Sequence, residues 1–130
     1  MRKLFRKDKR GQSLIEFALV LPILLLVVFG ITEFGRAIMV TNVLHTAARE
    51  GARLAAVSSV GDSLSVKARV VEVLEAARID VYQISIITDV AAKTVEVEVI
   101  TDFEILSAGV LDPFMGTIEL KGKTVMRYEG

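Results

Sequence analysis

The chain has 130 residues with 16 Lys+Arg, 16 Asp+Glu and no cysteine, so disulfides, thiolate zinc sites and cysteine nucleophiles are excluded. The zero net charge hides an asymmetry: residues 1–11 carry six Lys/Arg against Asp8, leaving ten basic and fifteen acidic residues for the rest. A body with that acidic excess is a poor partner for nucleic acid.

Length alone fits one domain plus an appendage. Mean hydropathy is +0.52 with 52% hydrophobic residues, and the excess lies between Leu14 and Ile31. After the basic cluster (Arg2, Lys3, Arg6, Lys7, Lys9, Arg10), Gly11-Gln12-Ser13-Leu14-Ile15-Glu16-Phe17 opens a run without charge from Phe17 to Thr32. A spanning helix needs roughly 20 residues, and the segment reaches that length if Glu16 sits near one interface. At the centre of a span an acid costs about 2.5–3.5 kcal/mol; near the edge it costs less but still asks for a partner. The Lys/Arg cluster before the run places the N-terminus in the cytoplasm and the body outside it.

A basic n-region followed by an apolar h-region is a signal or anchor pattern. Beyond Ile31 the residues Thr32-Glu33-Phe34-Gly35-Arg36-Ala37 fit a small-residue cleavage site poorly. From the residues alone two readings stand level: a cut between Gly11 and Gln12, or an uncut anchor.

Helical patterning runs from about Ser13 to Val57. Pro22 removes a backbone bond and clashes with the carbonyl of Ala18, so a kink is expected there. Ala47, Gly51 and Ala55 form a small-residue stripe, with Ala48, Ala52 and Ala56 beside it, permitting close helix approach either onto the chain's own sheet or onto neighbouring subunits. Arg49 and Arg53 are spaced i,i+4, and Glu50 stands i,i+3 from Arg53. Gly61-Asp62 breaks the pattern. Asp62 or Ser63 can then cap a second helix over 63–78 on Val66, Val70, Leu74 and Ala77.

Alternation in Tyr82–Ile86 and in Val95–Val99 marks half-buried strands, with Asp89–Lys93 as the turn between them. A looser stretch with Ser107, Gly109, Asp112-Pro113 and Gly116 precedes a last strand at Thr117–Tyr128, in which Gly122 marks a bulge or turn. The fold class is α+β: a long N-terminal helix, a second helix and a three- to four-stranded antiparallel sheet. The expected division is a leader at 1–11, a transmembrane and assembly helix at 12–34, and a head domain at 35–130.

Little here supports catalysis. His45 is the single histidine, too little for a usual zinc site. Glu96 and Glu98 alternate with valines as a solvent face does, Ser58-Ser59 lacks a base, and no phosphate loop occurs. No enzyme activity, cofactor, metal or small-molecule substrate is expected.

Gly11 followed by Glu16-Phe17 and an apolar run resembles the processing site of type IVb prepilins. More specifically, Arg10 to Pro22, continuing through Glu33-Phe34-Gly35-Arg36 and Ala47 to Ala55, is similar to TadE-like proteins, the minor pilins (pseudopilins) of the tight adherence, or Flp, pilus system. The resemblance covers about residues 10–56 and implies a pilin-like architecture. It further implies cleavage after Gly11 by a prepilin peptidase and a new N-terminus at Gln12. Glu16, beside Phe17, would then pair with the N-terminal ammonium of a neighbouring subunit. Other pilins and pseudopilins, the inner-membrane assembly platform and membrane lipid would be the partners, and surface adhesion by the pilus the outcome. The competing reading is an uncut, membrane-anchored extracytoplasmic binding module.

Overall fold

A computed structural model describes residues 9–58, 62–80, 82–105 and 117–128. Five elements follow in order: α1 (Lys9–Val57), α2 (Ser63–Ala76), β1 (Gln83–Asp89), β2 (Thr94–Phe103) and β3 (Ile118–Arg127). The architecture is α+β, as the patterning implied. Among the described residues the sheet has three strands, in the order β1-β2-β3 and antiparallel throughout. The leader's first eight residues, Gly61 and the stretch 106–116 lie outside the described residues.

Helix α1 is 49 residues long and stays α-helical through Pro22. A proline with no N–H of its own is tolerated there in an apolar segment. The helix does two jobs along its length. Residues 12–32 are exposed throughout, whereas Leu44, Ala47, Ala48 and Ala52 are fully buried in the core with Val66, Val70 and Leu74 of α2 and Val97 and Val99 of β2. The expected boundary at 34/35 therefore falls inside one continuous helix.

Helix α2 ends two residues before the expected 78. Its N-cap is Asp62, whose Oδ1 accepts from the Ser65 backbone N–H at 3.3 Å and whose Oδ2 accepts from the Ser65 hydroxyl at 2.7 Å, a standard capping interaction. Its C-terminus closes in a Schellman pattern. The Ile79 N–H donates to the Leu74 carbonyl and that of Arg78 to the Glu75 carbonyl, with Arg78 at φ 58°, where glycine is the usual residue.

The sheet buries one face. Val95, Val97, Val99, Thr101 and Phe103 alternate inward, and Ile84, Ile86, Leu120 and Met126 join them from the flanking strands. A four-residue loop joins β1 to β2, fastened by Asp89 Oδ1, which accepts from the Ala92 N–H at 2.9 Å.

Gly122 is neither bulge nor turn. The β2–β3 register runs unbroken past it, with Val99 opposite Gly122. Its lack of a side chain serves a close approach: a Cβ there would meet the α1 backbone at Leu44 and stand 2.5 Å from the His45 nitrogen. Glycine in a strand interior commonly marks such contact between backbones.

Candidate functional site

The start of the apolar stalk is built from one helix face. Gln12 and Glu16 are four residues apart, which places them on the same side one turn from each other. The Gln12 side-chain amide donates to Glu16 Oε1 at 3.3 Å. Leu14, Ile15 and Phe17 beside them are exposed, and the space around Gly11 is open. Glu16 thus has a neutral partner within its own chain.

Fourteen large apolar side chains are exposed from Leu14 to Ile31. At about 1.5–3 kcal/mol for each fully buried side chain, hiding them from water is worth on the order of 20–40 kcal/mol. That exceeds the whole stability of an ordinary domain, about 5–15 kcal/mol. The stalk therefore requires an apolar surrounding outside this chain. Its 18-residue window of mean hydropathy 2.8 makes it long and apolar enough to cross a membrane, which is the character of an anchor.

At the far end of the stalk stands a cluster that sequence reasoning missed. Arg36 Nη2 donates to Glu33 Oε2 at 2.8 Å and to the backbone carbonyl of Glu104. Its guanidinium carbon lies 4.1 Å from the centre of the Phe103 ring, within cation–π range. The Arg36 Nε is buried and has no hydrogen-bond partner among the described residues. One residue thereby ties the stalk's exit to the tip of β2. The sequence signal was a lone cation just past the span, but nothing in sequence links position 36 to position 103.

The small-residue stripe is used within the chain. Ala47 is fully buried, Ala55 is half-buried against the core, and a Cβ on Gly51 would stand 2.5 Å from Val70 Cγ2 and 3.3 Å from Val97 Cγ1. At Gly51 both helices and the sheet converge. The charges beside it link helices: Glu50 lies 3.4 Å from Arg53 and 3.5 Å from Arg69, which also binds Glu72 at 2.8 Å. The Glu72 hydrogen bond is the main reason the Arg69 guanidinium holds its proton more tightly than usual. His45 is exposed. Glu96 lies on the outer face of β2, 2.7 Å from Lys123 on β3, and this hydrogen bond raises the Lys123 pKa above its ordinary value. Among the described residues no three His, Cys, Asp or Glu gather as a metal site.

An exposed apolar helix that runs without interruption into a small α+β head defines a stalked, anchor-type protein. Residues 11–53 match the family model of TadE-like proteins, so that segment, about a third of the chain, is similar to theirs. The match begins at Gly11 and ends on α1 at Arg53, within the segment that carried the resemblance; α2 and the sheet lie beyond it. No curated protein and no solved structure matches the chain.

Proposed function

We propose that this protein is a minor pilin (pseudopilin) of a Tad, or Flp, type IVb pilus, cut after Gly11 by a prepilin peptidase and used in assembly or initiation. The observation that carries this reading is the family match over residues 11–53, falling on a helix whose apolar surface is uncovered and whose edge holds one carboxylate. A cut at Gly11 creates an ammonium on Gln12. An ammonium and a carboxylate both stranded in apolar surroundings neutralise each other, and either alone is costly. Glu16 of one subunit and Gln12 of the next would then set the axial register. The head lies outside the cytoplasmic membrane, and the partners are other pilins and pseudopilins, the inner-membrane assembly platform and membrane lipid.

N-terminal sequencing of the protein from membranes tests the cut. Gln12 as first residue is the expected result; Met1, or a start beyond residue 30, sinks the proposal. Glu16→Gln is expected to abolish or sharply reduce piliation while leaving the protein in the membrane.

The second reading, an uncut anchored binding module, draws on the Gln12–Glu16 hydrogen bond, which gives the acid a local partner without processing. It expects an intact N-terminus and piliation indifferent to Glu16.

A further inference from the structure

The charged and apolar sides of the stalk's exit are separated around the helix. Glu33 and Arg36 turn toward the head, where Arg36 is fastened to Phe103 and Glu104. Phe34 and Ile38, two positions either side of Arg36, fall on the opposite side of α1 at about 100° per residue. Phe34, Ile38 and Met39 are 69%, 47% and 65% exposed. From Gly35 upward this uncovered side opens into a groove of about 680 Å³ between α1 and the end of α2, bounded by Ile38, Met39, Val43, Val73 and Ala77. The groove is continuous with the exposed stalk and carries no charged side chain in its lining.

Length decides what reaches it. A hydrocarbon layer is about 30 Å thick, or roughly 20 helical residues. If that layer begins at Phe17, so that Glu16 stays at the boundary, it ends near Arg36. The headgroup layer adds roughly 5–7 Å on each side, which covers Ile38, Met39 and the mouth of the groove. This reckoning holds whichever side of the membrane carries the head.

We infer that the head sits directly on the bilayer, with Phe34, Ile38, Met39 and the mouth of the α1–α2 groove embedded among lipid headgroups and upper acyl chains. The occupant of the groove's mouth is lipid. The Glu33–Arg36 pair is tolerated at that depth because the two charges neutralise each other at 2.8 Å and Arg36 is turned onto the head. The inference rests on the anchor character of the stalk and is independent of the pilus reading.

The absence of native cysteine makes the test clean. Met39→Cys, Ile38→Cys and, as a distant control, Arg53→Cys are labelled with a fluorophore in the full chain. Each is reconstituted at one copy per nanodisc of phosphatidylethanolamine and phosphatidylglycerol, with a nitroxide quencher on the upper acyl chain. Labels at positions 38 and 39 are expected to lose fluorescence to the lipid quencher and to resist aqueous iodide, with the reverse at position 53. Iodide quenching at 38 and 39 without lipid quenching would overturn the inference. So would protection at these positions that appears only when several copies share a disc, because a second copy would then be the occupant. Met39→Asp is a second measure: it is expected to shift labels at position 38 toward iodide access, and no change there would also count against lipid.

Discussion

Single residues whose backbone or packing is unusual give the sharpest expectations. Gly122→Ala places a methyl group into the α1 backbone at Leu44 and His45. Backbone cannot swing aside as a side chain does, so a loss of about 3 kcal/mol or more is expected, read as a fall in the thermal unfolding midpoint in detergent. Gly51→Ala meets the buried Val70 and Val97 side chains, which must repack but need not drag backbone with them, and its cost is expected to be smaller, about 1–2 kcal/mol. Gly35→Ala has open space around it and should be neutral or gain up to about 1 kcal/mol of helix propensity. Equal losses at all three sites would contradict the packing described. Arg78, at φ 58°, holds a conformation that costs a side-chain-bearing residue about 1–2 kcal/mol. Arg78→Gly is expected to stabilise the head slightly, after the greater freedom of glycine in the unfolded chain takes back part of the gain.

Lys123 carries a pH dependence whose sign follows from its raised pKa. The charged form is favoured in the fold, so its contribution is fully present below the ordinary lysine value of 10.5 and is lost as pH rises through the folded value. Comparing wild type with Lys123→Met in thermal unfolding, the difference should be small, since the pair is on the surface, and should shrink above that range. A difference that grew with alkaline pH would contradict the pairing with Glu96.

At the scale of elements, α1 is both stalk and core helix, and Arg36 is where the two roles meet. Removing it with Arg36→Ala deletes a charge-assisted hydrogen bond to a carbonyl, an ion pair with Glu33 and a ring contact. With the guanidinium partly exposed, about 1–2 kcal/mol is expected, seen as faster hydrogen exchange at the end of β2. Arg36→Lys should recover little, because a compact ammonium cannot lay a planar cation over Phe103 while donating to Glu33 and Glu104. Full recovery by lysine would mean that charge alone matters there. Alternating burial in β2 was readable from Val95-Glu96-Val97-Glu98-Val99 because the period of two is a local property of the strand. The cap at Asp62 was readable for the same reason, as it depends on three neighbouring residues.

At the scale of the whole molecule, every buried residue among those described falls between Leu44 and Tyr128. The head's core therefore takes nothing from the stalk. A fragment beginning at Gly35 is expected to be water-soluble and to unfold cooperatively, with the Arg36 contacts retained. Circular dichroism and a single thermal transition check this; a fragment without a cooperative transition would show that the stalk supports the head. Full-length protein, by contrast, should require detergent or lipid, because its exposed apolar surface outweighs the stability of the head.

The sequence by itself determined the apolar stalk, the acid at its edge, the α+β order of elements and the segment's similarity to TadE-like proteins. Each of these is written in runs of neighbouring residues, as hydropathy, periodicity or a short motif. Only the tertiary structure decided that Gly122 is a seat for the α1 backbone, that the small-residue stripe is spent within the chain at Gly51, and that Arg36 fastens the stalk to Phe103 and Glu104. These depend on pairs of residues far apart in the chain, from Gly51 and Val70 to Leu44 and Gly122, and such pairs acquire meaning only once the core has folded them together.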